Sequence, residues 1–140
     1  MPSTVHRTGS AAETQTLGRI FGATLRGGEI VFLCGDLGAG KTQFAKGVAA
    51  ALGVAAEVVS PTFTLAARYA ARLPLVHYDL YRLREPHELR EIGFLESDDA
   101  QEVTLVEWGD RVTVPPDAIR IRFDVEPDGE RRIEIERPGS

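Results

Sequence analysis

Glu29-Ile30-Val31-Phe32-Leu33-Cys34 runs directly into Gly35-Asp36-Leu37-Gly38-Ala39-Gly40-Lys41-Thr42. The first six residues form an apolar, partly β-branched run suited to a buried strand. The next eight fit the phosphate-binding pattern G-x-x-x-x-G-K-[ST]. After them, Lys41 to Leu52 places Phe44, Val48, Ala51 and Leu52 on one helical face, and Gly53 supplies a stop. Strand, glycine loop and helix follow in the order this motif needs. The expected fold is therefore α/β, a P-loop NTPase-like sheet flanked by helices.

The residue types explain the chemistry. Gly35, Gly38 and Gly40 let the backbone approach phosphate closely. Backbone N–H groups of Gly35, Asp36, Leu37, Gly38, Ala39 and Gly40, with the helix N-terminus, then face the anion. Lys41 is expected to reach the β- and γ-phosphates as a point charge. The Thr42 hydroxyl is expected to bind Mg²⁺, which keeps several waters and bridges phosphate oxygens. Lys41 is one of only two lysines in the chain, so its place in the loop weighs against an incidental surface cation.

Working upstream, Thr4–Arg7 is either a short edge strand or a loose end. Ser10-Ala11-Ala12-Glu13 reads as a capping box opening a helix with Leu17, Ile20, Phe21 and Leu25 on its apolar side and Gly27-Gly28 at its end. Downstream, Pro61 holds Ser60 extended. Ser60-Pro61-Thr62-Phe63-Thr64 is then either a hydroxyl-rich loop meeting the γ-phosphate or Mg²⁺, or an ordinary turn. Leu65–Tyr69 reads as a strand. Leu75–Arg82 begins as another strand, with Asp79 near the C-terminal end, the edge where open α/β sheets bind ligands. His77 lies two residues earlier on the same face. Glu85–Ile92 is expected to be a short helix with Pro86 early and Gly93 after it. Arg82, Arg84 and Arg90 are interleaved with Glu85, Glu88 and Glu91, as on a solvated face.

Val103–Val106 delivers Glu107 at the end of an apolar strand, the position of a Walker-B acid. Trp108 beside it is expected at the edge of the site. Ile119–Val125 and Arg131–Glu136 alternate strictly about Pro127-Asp128-Gly129, which predicts a C-terminal antiparallel hairpin and hence a mixed, mainly parallel sheet.

The 140 residues fit one domain, 1–140, without room for a second core. One cysteine, Cys34, excludes an intrachain disulfide or a cysteine zinc cluster. His6, His77 and His87 lack metal-ligand spacing. No apolar run reaches the roughly 20 residues of a membrane span, and no signal-peptide pattern opens the chain, so a cytoplasmic protein without membrane association is expected. A net charge of −5 argues against gripping nucleic acid by bulk electrostatics.

Four stretches in this order, Gly35–Thr42, Ser60-Pro61-Thr62-Phe63, His77-Tyr78-Asp79-Leu80-Tyr81-Arg82 and Glu107-Trp108, resemble the TsaE family, small ATPases of bacterial tRNA threonylcarbamoyladenosine synthesis. The resemblance spans roughly Ser10 to Ile135. It implies a compact P-loop fold that binds ATP with Mg²⁺ and acts with a TsaD–TsaB complex, which modifies adenosine 37 of tRNA. By the same resemblance Lys41 binds phosphate, Thr42 and Glu107 hold Mg²⁺, and Asp79 is needed for hydrolysis. Ser60–Phe63, with Thr62, matches a switch-like loop. Ser10 and Arg132 fall near the adenine, with Arg131 as the alternative arginine. The family often has proline after the Glu-Trp pair, whereas Gly109-Asp110-Arg111 follows here, so the loop beyond the acid is not carried over.

Two other classes share these features. A small-molecule kinase uses the same loop, lysine and acid, although 140 residues leave little room for an acceptor pocket and lid. A nucleotide-gated binding module would bind without essential hydrolysis. A GTPase is disfavoured because no N-K-x-D motif occurs.

Overall fold

The computed structural model describes residues 3–36, 40–58, 65–97 and 99–139. Leu37, Gly38 and Ala39 of the glycine loop, and the whole Ser60–Thr64 stretch with Thr62, lie outside the described residues.

Within them the chain runs β1 (Ser3–Thr8), α1 (Ala11–Gly22), β2 (Ile30–Gly35), α2 (Lys41–Leu52), β3 (Ala66–Tyr69), β4 (Leu75–Asp79), α3 (His87–Glu91), β5 (Val103–Glu107), a 3₁₀ turn (Gly109–Arg111), β6 (Ile119–Val125) and β7 (Arg131–Glu136). The strands form one sheet in the order β1-β7-β6-β2-β5-β4-β3. The central four, β6, β2, β5 and β4, are parallel. The expected hairpin β6–β7 is antiparallel, and antiparallel strands close both edges, β1 on β7 and β3 on β4.

The parallel centre is where the apolar runs fall. Val31 to Leu33 and Val103 to Val106 are almost wholly buried, as strands covered on both faces must be. On one face α1 and α2 pack over Val31, Leu33, Leu105, Ile121 and Ile133. Their crossing is close because glycine stands at the contact. A methyl at Gly47 would come within 2.0 Å of the Gln15 carbonyl oxygen, and one at Gly18 within 2.2 Å of that of Phe44. On the other face Phe32, Val76, Tyr78 and Val106 are covered by α3 and by the segments around Phe94 and Val112.

Local chemistry sets the boundaries. The Ser10 hydroxyl accepts the Glu13 N–H (3.1 Å), and the Glu13 carboxylate reaches back to Gly9 N–H (2.6 Å), one residue before the cap. Helix α1 ends at Gly22, earlier than the Gly27-Gly28 expected from composition. There Ala23 N–H bonds the Arg19 carbonyl, and the Thr24 hydroxyl takes the Phe21 carbonyl (2.6 Å), ending the helix while Leu25 still reaches the core. α3 is likewise shorter than Glu85–Ile92. Pro86 stands at its N-cap, and Glu88 turns back to accept the N–H groups of Arg84 and Glu85 (both 2.8 Å).

Candidate active site

The three parallel strands β2, β5 and β4 end side by side, and each delivers one part of the site. β2 ends in Gly35 at φ 141°, where a methyl would lie 2.4 Å from the Phe123 carbonyl oxygen. Only glycine lets the chain leave the sheet there. Gly40, at φ 101°, then caps α2, so Lys41 and Thr42 occupy its first turn, where N–H groups lack helical partners. β5 ends in Glu107 and β4 in Asp79, and the two acids are register partners on neighbouring strands, roughly 4.8 Å apart along the hydrogen-bonding direction.

Lys41 is buried. Its ammonium donates to the carbonyls of Gly35 (2.5 Å) and Asp36 (2.8 Å) and lies 4.1 Å from the centroid of the Trp108 ring. Such a cation–π contact is worth about 0.5–2 kcal/mol. Burial pushes the Lys41 pKa below its ordinary value, while Glu107, Asp110, Asp36 and Asp79 act in the opposite sense. These two carbonyls and the indole face hold the cation.

Thr42 donates its hydroxyl to Glu107 Oε1 at 3.0 Å. The other carboxylate oxygen of Glu107, Oε2, lies 2.6 Å from His77 Nε2, and both residues are buried. Asp79 is also buried, with Oδ1 accepting the Tyr81 N–H (2.9 Å). Two residues with left-handed backbone bracket the acids. Leu65 (φ 66°) gives its carbonyl to Asp79 N–H, and Trp108 (φ 60°) directly follows Glu107. Such conformations cost of order 1–3 kcal/mol each and cluster at functional sites. The Trp108 ring also meets Tyr81, with centroids 4.9 Å apart.

The hydroxyl–carboxylate pair suits one cation and suits others poorly. Among the described residues no group of three or more His, Cys, Asp or Glu side chains can hold a metal by itself. One hydroxyl and one carboxylate, both hard oxygen donors at a helix N-terminus, match Mg²⁺ that takes its remaining ligands from water and phosphate. They match neither zinc nor a caged calcium.

The remaining sequence candidates divide. Ser10 caps α1, and its carbonyl accepts both the N–H and the hydroxyl of Thr14 (3.0 and 3.1 Å). Thr14 also bonds the hydroxyl of Thr8 (2.7 Å) and sits against Gly40. This threonine pair carries the start of α1 to the edge of the loop, and no motif marked it. Arg131 pairs directly with Thr8 across β1–β7 and therefore shares its sheet face. Arg132 lies on the opposite face, near Glu134 (3.5 Å) and Asp124 (4.0 Å). The 3₁₀ turn standing where proline often follows in the resembled family is tied down by Arg111, which donates to the carbonyls of Tyr81 (3.0 Å) and Leu83 (3.3 Å). Gly109 is needed there, because a methyl would come within 2.7 Å of the Phe32 ring. Beside Gly109, burial first and Asp110 second raise the Cys34 pKa, so this thiol is the inert kind.

Against known proteins, residues 8–133 match the family model described as threonylcarbamoyl adenosine biosynthesis protein TsaE. The chain is 42% identical to the tRNA threonylcarbamoyladenosine biosynthesis protein TsaE of Treponema pallidum, over 90% of this chain and 95% of that one. It is 37% identical to the protein of the same name from Bacillus subtilis, over 96% and 85% respectively. In structure it superposes on a crystal structure of Bacillus subtilis YdiB with a TM-score of 0.79 and 32% identity, covering 99% of this chain and 87% of that one.

Proposed function

This chain belongs to the TsaE family, and from that premise we propose that it is a Mg²⁺-dependent ATP-binding and ATP-hydrolysing protein of tRNA threonylcarbamoyladenosine biosynthesis, acting with a TsaD–TsaB complex. The observation that carries the nucleotide part is the 3.0 Å contact between Thr42 and Glu107, two oxygens 65 residues apart in sequence brought together at the first turn of α2.

In this reading the N–H groups at the start of α2 and the glycine loop bind the phosphates. Lys41 exchanges the Gly35 and Asp36 carbonyls for phosphate oxygens, which carry more negative charge and hold the ammonium more strongly. Thr42 and Glu107 hold Mg²⁺, which neutralises charge on the phosphates when bound. Asp79, fixed by the Tyr81 N–H and buried one strand away from Glu107, orients the attacking water. Thr62 belongs to the switch loop that senses the γ-phosphate. Ser10 and Arg132, or Arg131 on the face of Thr8, contact the adenine.

A small-molecule kinase would move the γ-phosphate to an acceptor, and a binding module would not need to cleave it. Incubating the chain with Mg·ATP, alone and with TsaD–TsaB, and following free phosphate separates the three. The proposal expects phosphate release that Asp79→Asn strongly slows, and tRNA modification that stops with a non-hydrolysable ATP analogue. Phosphate appearing on a small acceptor, or full modification with the analogue, would overturn it.

A further inference from the structure

His77 sits in the middle of β4, wholly buried, facing Leu105 across β4–β5 and Ala67 across β3–β4. An imidazole in such a place is normally there to fill space. Here its ring reaches past that apolar layer, and Nε2 stops 2.6 Å from Glu107 Oε2. A carboxylate oxygen only accepts, so Nε2 carries the proton in this contact. Nδ1 is buried and has no hydrogen-bond partner among the described residues.

That bond completes the fixation of Glu107. Oε1 accepts the Thr42 hydroxyl and Oε2 meets His77, so the carboxylate is held from both ends and its plane cannot turn. Ligating carboxylates are characteristically held in this way by partners that do not touch the metal. We propose that His77 is a positioning residue. Through its Nε2–H it locks the Glu107 carboxylate in the orientation that presents Oε1 beside Thr42, and so sets how tightly the site takes Mg²⁺. The proposal rests on the reading of Thr42 and Glu107 as the metal-binding pair.

Two amide substitutions separate this role from simple space filling. Gln places its N–H near the position of Nε2, whereas Asn places it near Nδ1, out of reach of Oε2. Free Mn²⁺ can be counted by electron paramagnetic resonance while it titrates wild type, His77→Gln and His77→Asn at fixed ATP, with parallel ATP titrations in chelator. The expected result is a half-saturating Mn²⁺ concentration raised about 10- to 100-fold in His77→Asn, a value near wild type in His77→Gln, and equal metal-free ATP affinity in all three. Equal shifts in both variants, no shift in His77→Asn, or loss of metal-free ATP binding would overturn the positioning role. If His77→Asn does not fold, a raised Mn²⁺ requirement in His77→Gln overturns it by itself. Absence of metal dependence in the wild type would instead remove the Thr42–Glu107 reading on which it stands, and the two failures are distinguishable.

Discussion

The ends of β4 and β5 and the hairpin β6–β7 both carry charge, but by opposite rules. On the hairpin, side chains of opposite sign face each other across neighbouring strands. Arg120 pairs with Glu136 and Arg122 with Glu134 in register. These residues lie at the surface or are half-buried, and each neutralises its neighbour. At the strand ends, Asp79, Glu107 and Lys41 are all buried and come from separate parts of the chain. Burying charge is costly unless it is paired and bonded, so this cluster exists for something other than stability. A charge that finds its partner on the next strand describes a surface, and charges converging from several strand ends at the first turn of α2 describe a site. With each of these arginines facing an acid, no unbroken cationic stripe of the kind that phosphate contacts need runs along the hairpin.

Substitutions at the two places should differ by orders of magnitude. The largest effect is expected from Asp79→Asn, with hydrolysis slowed about 10²–10⁴-fold while Mg·ATP binding stays near wild type. Phosphate release and calorimetry on the same preparation check it, and the same pattern in Glu107→Gln would exchange the two acids' roles. Next, Lys41→Ala should weaken ATP about 10- to 100-fold, because hydrogen bonds to a charged group contribute about 1.5–3 kcal/mol. Calorimetric titration of ATP into the wild type and the variant checks it. Away from both regions, Gly47→Ala should cost about 1–3 kcal/mol in denaturant unfolding, since the added methyl meets the Gln15 carbonyl. The smallest effect is expected beside the hairpin. Arg7→Ala breaks an exposed pair with Glu126 (2.9 Å) and should change stability by no more than about 1 kcal/mol and ATP binding hardly at all. A large loss of ATP affinity there would break the contrast.

Much of this was legible in the sequence because it is local. The strand before the glycine stretch and the helix after it, the cap at Ser10, the alternation of the hairpin and the acids ending apolar strands each depend on residues within one turn or one strand. What could not be read depends on distant pairs. Gly18 and Gly47 look like weak points in their helices, and only the crossing of α1 with α2 shows why a side chain is barred. His77 shares a face with Asp79 by spacing, but its bond to Glu107 arises from the pairing of β4 with β5. Thr8 and Thr14 form their bond only when β1 folds beside α1. The early end of α1 was hidden because Leu25 keeps the apolar pattern running after the helix has stopped.

Isothermal titration of ATP into the wild type, Thr42→Ala and Glu107→Gln, each with Mg²⁺ and with chelator, tests most directly whether the strand-end cluster is a Mg·ATP site. The account predicts that Mg²⁺ tightens ATP in the wild type, that this gain is largely lost in both variants, and that metal-free binding is similar in all three. A wild type that binds ATP equally with and without Mg²⁺, or variants that keep the full gain, would contradict it.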